Sequence, residues 1–287
     1  MARDHQAFIR AVHWATEAAR EAKAMFVRLE PATPGSWLRE TVDLEVSGGR
    51  ALLSQLGFAP APSDIQPRRT RCLDLRRDVD SILGDMTGTN RTLHRSTTKR
   101  GLVIHASHDP ADTVHLTRLI DQTAMQRGFT PQNHSQLEAL AQATLPQKLS
   151  TLFLTHHQER VIGALLVVDG GGTRIFAHGA TDPDFRKLRA HQSAVTAAVL
   201  DARDKGLDLA DLYGIAPTDD PAHPWSGFTA FKASFGGHVV EHLGAWDRPL
   251  RPLAHKVLTT GRALRKLAHA TGRVGSSPVQ DRGPSRG

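Results

Sequence analysis

The sequence predicts an α/β protein with mixed, mostly antiparallel sheets flanked by helices. Residues 4–23 repeat apolar side chains at three- and four-residue spacing, which is typical of an amphipathic helix. The predicted strands TLFLTHH, RVIGALLVVDG and TRIFAHGA are consecutive, and the GGGT turn between the last two favours an antiparallel hairpin. A helix over about residues 187–205 then leads to the strand DLADLYGI.

The first half of the chain alternates in the same way. A strand at residues 25–31 and a short helix at 51–56 precede the strand TRCLDL. The strand LVIHAS and two helices, at 109–127 and 135–147, complete the elements that come before the hairpin. After DLADLYGI, we expect a short helix in FTAFKASFGG and a last strand in HVVEHLG.

Composition excludes several classes of protein. The 287 residues are 39% hydrophobic and 23% charged, as in ordinary globular chains, and no apolar run reaches the roughly 18 residues of a membrane span. The N-terminus lacks the apolar centre of a secretory signal, so we expect a cytoplasmic location. The single cysteine, Cys72, has neither a disulfide partner nor a CxxC zinc motif and is interpreted as a buried strand residue.

The net charge of +7 is concentrated in two segments. From residue 252 onward, seven Lys and Arg stand against one acid. The second excess includes Arg91, Arg95 and Lys99, whose four-residue spacing predicts a basic stripe on one helix face, with Asn90 as the N-cap. Guanidinium groups suit phosphates, so these three side chains are candidate substrate-binding residues. A solvated helix face is an equally good explanation.

Residues 211–250, DLYGIAPTDDPAHPWSGFTAFKASFGGHVVEHLGAWDRPL, carry Gly-Ile, a proline-rich loop, FK, FGG and a final strand. This order resembles the closing signature of the Fem-type peptidoglycan-bridge aminoacyltransferases, and the similarity extends back to about residue 25. The resemblance implies two GNAT-like lobes, in agreement with the order of the predicted elements. We expect an incomplete first lobe at 1–88, a second lobe at 89–250 and a basic helix with a disordered tail at 251–287.

The resemblance also implies an activity. Such proteins move an aminoacyl group from aminoacyl-tRNA to lipid II or a UDP-linked muropeptide, without a cofactor. Glycine, alanine or serine is the expected donated residue. The basic tail is expected to contact tRNA or the anionic inner leaflet of the membrane. The alternative is that the tail only increases solubility.

The resemblance implies that Lys232 in the FK pair corresponds to the family's functional lysine, whose ammonium would stabilise the oxyanion that forms when an amine attacks the ester. Phe231 beside it would pack against the donor. Without the motif, Lys232 would be interpreted as a solvated helix residue. Asp211 and Tyr213 end a predicted strand near the same site and are candidate substrate contacts, with core packing as the alternative. Gly236 and Gly237 are expected to form a tight turn.

Two other functions remain open. A coenzyme A dependent N-acyltransferase would carry a Q/R-x-x-G-x-G/A loop, but residues 186–191 read RKLRAH and place bulky Arg189 and His191 at the small positions. The second alternative is a non-catalytic protein of the same fold that binds RNA or membranes.

The adjacent His156 and His157 should point to opposite faces of a strand, so no metal site is predicted.

Overall fold

The computed structural model describes residues 5–31, 46–128, 131 and 133–261. Contacts between residues divide the chain into two compact units. One includes residues 66–244 and holds a seven-stranded sheet. The other combines residues 2–30, 47–65 and 245–287 and holds a three-stranded sheet.

The seven-stranded sheet contains all the predicted strands from TRCLDL to HVVEHLG. In chain order its strands are β3 (Arg69–Asp74), β4 (Leu102–Ser107), β5 (Ser150–His157), β6 (Arg160–Gly170), β7 (Thr173–Thr181), β8 (Leu209–Gly214) and β9 (His238–Glu241), and their spatial order is β4-β5-β6-β7-β8-β3-β9. The β6–β7 hairpin is antiparallel, as predicted. Among the described strands of this sheet, only β7 and β8 pair in parallel. The predicted mixed, mostly antiparallel architecture is therefore confirmed.

Helices cover both faces of this sheet, which explains the continuous apolar runs of β5 and β6. Phe153, Leu165 and Val167 pack with helix α7 (Ala190–Asp204) on one face. Their sequence neighbours Leu152, Leu154 and Leu166 pack on the other face, with α5 (Thr113–Arg127) and α6 (His134–Thr144). The period-two alternation thus divides one apolar run between two cores.

The three-stranded sheet has the order β1-β10-β2, from β1 (Phe26–Leu29), β2 (Ala59–Pro60) and β10 (Trp246–Pro249). The same unit contains the predicted amphipathic helix, α1 (His5–Glu21), and α2 (Val46–Gln55). Arg28 and Asp247 are cross-strand partners, and the guanidinium donates to both carboxylate oxygens at 2.7 and 2.8 Å. This paired arginine keeps the pKa of the buried Asp247 below its usual range, against the opposing effect of burial.

The predicted boundaries at residues 88 and 250 differ from the edges of the two units. The difference arises because β3, predicted as part of the first lobe, pairs with β8 and β9 in the large sheet. The segment 252–261 is helical, in agreement with the predicted basic helix at that end. The rest of the predicted tail lies outside the described residues. None of the helices in the described ranges is long and apolar enough to cross a membrane.

Two short helices follow β3. Asp78 caps α3 (Val79–Asp85) by accepting from the Ser81 N–H at 2.8 Å. The prediction of an Asn90 cap is wrong, because α4 (Gly88–Arg95) begins earlier and Thr87 caps it by accepting from the Asn90 N–H. Asn90 itself is buried, and its amide donates to the Ser234 carbonyl at 3.0 Å. That contact links α4 to the segment that carries FK and FGG.

An arginine is completely buried where β7 begins. Arg174 donates at 2.6–2.7 Å to both oxygens of Asp169 on β6, and at 2.6 Å to Asp201 on α7. It also donates to the Ala198 carbonyl at 2.8 Å. These four contacts satisfy a charge that would otherwise be costly to bury, and they join two strands to the helix that covers them.

We expect Arg174→Met to lower the free energy of unfolding by about 3 kcal/mol, because it leaves two carboxylates without their buried partner. Urea denaturation measures this change. Arg76→Ala is the matched control, since Arg76 forms an ion pair with Asp74 at 2.6 Å but is half exposed. Its loss should change the free energy by less than about 1 kcal/mol. Equal effects of the two substitutions would contradict this account of Arg174.

Candidate active site

β7 and β8 separate after a short paired stretch. Their parallel register contains Thr173 with Leu209, Arg174 with Ala210, and Ile175 with Asp211, yet β7 continues to Thr181 and β8 to Gly214. The separated ends leave a cavity of about 130 Å³. It is lined by residues of both strands together with side chains from α7 and from α8 (Ser226–Ala233).

A β-bulge lies on the β7 side of this cavity. Leu166 pairs with His178 and Val167 pairs with Phe176, so Ala177 is an extra residue in β7. Bulges redirect backbone and side chains, and they are common beside active sites. Ala177, His178 and Gly179 all line the cavity. A side chain at position 179 would collide with the His191 ring, because its Cβ would lie 2.5 Å from that ring, so only glycine fits there without a shift.

Lys232 is buried at the α8 side of the cavity, with 6% of its surface exposed. Its ammonium donates to the Gly214 carbonyl at the end of β8, with an Nζ–O distance of 2.6 Å. It also lies 4.1 Å from the centre of the Phe228 ring, one helical turn earlier on α8. A cation over an aromatic face is attracted by the negative potential of the ring. The buried charge is therefore held between one carbonyl and one ring.

Burial lowers the pKa of Lys232 to about 8, because removal from water disfavours the ammonium. The nearby Asp211 carboxylate opposes this shift. Lys232 is therefore still mostly protonated at neutral pH, although its pKa is close to neutrality. Such a perturbed amine beside a cavity is a recognised mark of a functional site.

Phe231 lines the same cavity and packs against neighbouring rings. Its centroid lies 5.4 Å from that of His191 in a stacked arrangement and 5.2 Å from that of Phe235, edge to face. Burial and the Lys232 charge lower the pKa of His191 to about 4, so its imidazole is neutral at pH 7. The two residues predicted from the FK pair thus lie together at one cavity.

Tyr213 and Asp211 have different surroundings. Tyr213 lines the cavity, and its hydroxyl contacts the Gln66 side chain. Asp211 is buried, and its Oδ1 accepts from the Tyr213 backbone N–H at 2.7 Å. The carboxylate therefore contacts the backbone of the strand that bears it.

The basic residues do not form the predicted stripe. Arg91 and Arg95 belong to α4, which ends at Arg95, and Lys99 lies in the following 3-10 turn, Thr98–Arg100. The predicted single helix face is therefore wrong, since the helix stops before Lys99. Arg91 donates to the Gly84 carbonyl at 3.0 Å and to the Met86 carbonyl, at the end of α3. Arg95 and Lys99 are exposed to solvent.

The FGG motif forms the tight turn that was predicted. Gly236 and Gly237 have φ values of 85° and 71°, in the left-handed region. A Cβ added at Gly237 would lie 2.2 Å from the Cys72 carbonyl oxygen. Arg71 donates to the carbonyls of both glycines, at 2.8 and 2.9 Å. The motif therefore brings the chain against β3 immediately after Lys232.

The comparisons with known proteins give a family match for the part of the chain that holds the cavity. The model of the FemAB family matches residues 131–262, which contain β5 to β10 and the Lys232 cavity. The FemAB match covers slightly less than half of the chain. A search of curated proteins finds no match.

Solved structures share the fold of this chain at low identity. A crystal structure of FemX superposes with a TM-score of 0.76 and 18% identity, over 90% of this chain and 80% of that one. The structure of L-PGS from Bacillus licheniformis gives a TM-score of 0.54 and 12% identity, over 85% and 75% of the two chains. These likenesses show that the chain shares its fold with both structures.

Sequence reasoning missed three parts of the site. Phe228 could have been found from its four-residue spacing to Lys232, which places both on one helix face. His178 and the Gly214 carbonyl gave no such signal, because they reach the cavity through the bulge of β7 and the end of β8. Over the described ranges, no three His, Cys, Asp or Glu side chains are grouped as a metal site would require.

The Lys232 ammonium should be visible in the pH dependence of stability. Between about pH 8 and the ordinary lysine value of 10.5, the unfolded chain holds a proton that the folded chain has lost. Stability rises with pH wherever the unfolded state binds more protons. Relative to Lys232→Met, which has no amine, we expect the free energy of unfolding of the unaltered protein to rise on the order of 3 kcal/mol over this range.

Chemical denaturation of both proteins at intervals from pH 7 to pH 10.5 measures this difference. Lys205→Met is the control, because Lys205 forms its ion pair with Asp201 at a more exposed position. Since this variant keeps Lys232, it should show the same rise as the unaltered protein. A parallel pH dependence for the unaltered protein and Lys232→Met would show that Lys232 titrates at an ordinary value.

Proposed function

We propose that this protein is a member of the FemAB family and transfers an aminoacyl group from aminoacyl-tRNA to the stem peptide of a peptidoglycan precursor such as lipid II or a UDP-linked muropeptide. The observation that carries the proposal is the buried Lys232 ammonium in the FK pair, at the point where β7 and β8 separate. It lies within the region that matches the family. Acyl transfer in peptidoglycan assembly is the general activity of that family. The proposal adds a specific donor, aminoacyl-tRNA, and a specific acceptor, the stem peptide.

The chemistry suits an ester donor. An aminoacyl ester is already activated, so transfer needs an aligned amine and stabilisation of the negative oxygen that forms on the ester carbonyl. The attacking amine forms the C–N bond, the ribose oxygen leaves, and one proton passes from the amine to the leaving oxygen. The Lys232 ammonium, held out of bulk water, is suited to stabilise the negative oxygen.

A covalent enzyme intermediate is not required by this scheme. The single cysteine, Cys72, is an unsuitable nucleophile, because burial and the nearby Asp211 raise its pKa to about 12. The cavity of about 130 Å³ favours a small donated residue, and glycine, alanine and serine fit that limit. Phe231, at the cavity wall, would contact the donor.

Basic side chains of the chain are candidate phosphate contacts. Arg95 and Lys99 are exposed, and with Arg91 they would bind tRNA phosphates or the diphosphate of the acceptor. Lys256, in the helical segment 252–261, belongs to the basic C-terminal part that we expect to contact tRNA or anionic lipid. Both substrates are available in the cytoplasm, which is the location we propose.

The activity is tested with radiolabelled glycine, alanine or serine on charged tRNA and purified lipid II as acceptor. We expect label in lipid II from at least one donor, and a loss of about 10²- to 10³-fold in kcat with Lys232→Ala. Phe228→Ala, which removes the ring over the ammonium but leaves the amine, should retain more activity. Circular dichroism shows whether each variant is folded.

Label arriving only from aminoacyl- or acetyl-coenzyme A would identify a coenzyme A dependent acyltransferase instead. Absence of transfer from every donor, together with tRNA binding, would favour the non-catalytic alternative. Unreduced transfer by Lys232→Ala would contradict the role of Lys232 while leaving the reaction itself in place.

The pH dependence of transfer gives a separate prediction. Because the ammonium is the active form and the pKa of Lys232 is about 8, we expect kcat to decline as the pH rises through this value. The measurement is the rate at saturating substrates from pH 6 to pH 9.5. A rate that keeps rising to pH 9.5 would show that the ammonium is not needed.

A further inference from the structure

The end of β8 is irregular next to Lys232. Thr70 of β3 pairs with Gly214, and Cys72 pairs with Asp211, so a two-residue step on β3 faces a three-residue step on β8. Within the longer step, Tyr213 has a φ of 68°, a left-handed conformation that is uncommon for residues other than glycine. The strand therefore contains a bulge that changes the direction of the carbonyls after it.

Asp211 stabilises this bulge directly. Its Oδ1 accepts from the N–H of Tyr213, the residue with the left-handed conformation, at 2.7 Å. The next residue, Gly214, directs its carbonyl to Lys232 Nζ at 2.6 Å. Gly214 is also constrained from the other side, because a Cβ added there would lie 2.5 Å from Cγ of Pro67. Two successive hydrogen bonds thus connect the carboxylate to the ammonium through the backbone.

The carboxylate is also an electrostatic neighbour of the ammonium. Burial raises the pKa of Asp211, and this is opposed by the Tyr213 N–H, His242, Lys232 and Thr70. The same carboxylate opposes the effect of burial on Lys232. From α7, Lys232 also faces His191, whose imidazole is neutral at pH 7. Asp211 is therefore the negative group that favours the charged form of Lys232.

We propose that Asp211 is a positioning residue for Lys232: its carboxylate holds the β8 bulge through the Tyr213 N–H, directs the Gly214 carbonyl at the ammonium, and supplies the charge that keeps the ammonium protonated. The consequence for transfer rests on the function proposed above. The effect on Lys232 itself does not, because it concerns groups of this chain alone.

Two substitutions separate the two actions of Asp211. Asp211→Asn keeps a side-chain oxygen for the Tyr213 N–H but removes the charge, so the pKa of Lys232 should fall by on the order of one unit. Asp211→Glu keeps the charge but moves the carboxylate away from the Tyr213 N–H. We expect its Lys232 pKa to stay near that of the unaltered protein while kcat falls.

The primary measurement is an NMR titration of the full chain with ¹³C- and ¹⁵N-labelled lysine, in which the Lys232 signal is identified by its loss in Lys232→Met. Asp219→Asn is the matched control, because Asp219 follows the same strand but is exposed and pairs with Arg69 at 3.0 Å. Its Lys232 titration should match that of the unaltered protein. Thermal unfolding checks that each variant retains its structure.

The transfer assay provides the second readout. In Asp211→Asn, the decline of kcat at high pH should move to lower pH by the same amount as the NMR titration, with KM unchanged. A purely structural residue would lower stability without moving either curve. If Lys232 titrates alike in the unaltered protein and folded Asp211→Asn, the inference is overturned.

Failure of the two proposals can be told apart. A shifted Lys232 titration without transfer by any form of the protein would support the positioning role and overturn the proposed function. Transfer by the unaltered protein with no difference between the Asn and Glu variants, in rate or titration, would support the function and overturn the positioning role.

Discussion

The parallel pairing of β7 with β8 ends after three residue pairs, and the candidate site depends on that ending. Strands that remained paired would place backbone hydrogen bonds where the cavity lies. Because they separate, the backbone of both strand ends is accessible to side chains from α7 and α8. Lys232 uses this opening, since its ammonium reaches the Gly214 carbonyl at the free end of β8.

The opposite end of the same strand pair is fixed by charge. Arg174 lies in the paired stretch opposite Ala210, and it donates to Asp169 on β6 and to Asp201 on α7. A fully buried guanidinium with these partners joins the strands and the covering helix at one end. The strand pair is therefore held where it is closed, while the site is at the end where it opens.

The site buries one positive charge beside a carbonyl and a ring. Burial strengthens electrostatic interactions, because the protein interior screens charges less than water does. It also makes the charge sensitive to pH, since the same burial lowers the pKa of Lys232 to about 8. Phe228 and Asp211 oppose that effect by favouring the ammonium, one through its ring and the other through its carboxylate. The protonation of Lys232 is thus determined by its neighbours as much as by its depth.

The sequence by itself determined the elements and their order. The apolar periodicity of α1, the hairpin of β6 and β7 and the tight turn at Gly236 and Gly237 follow from local chemistry, and the structure contains all three. The FK motif likewise identified Lys232 and Phe231, which lie at one cavity. These features depend on neighbouring residues in the chain, which is why a sequence can reveal them.

Only the tertiary structure decided the partners. Three features differ from what local spacing indicates. β3 lies between β8 and β9, Asn90 makes a buried contact with Ser234, and α4 ends before Lys99. The separation of β7 from β8 and one bulge in each strand position the Gly214 carbonyl, His178 and Asp211 near Lys232. Long-range pairing determines these positions, and the free energy that stabilises it comes from surfaces far apart in the chain, which local sequence patterns do not record.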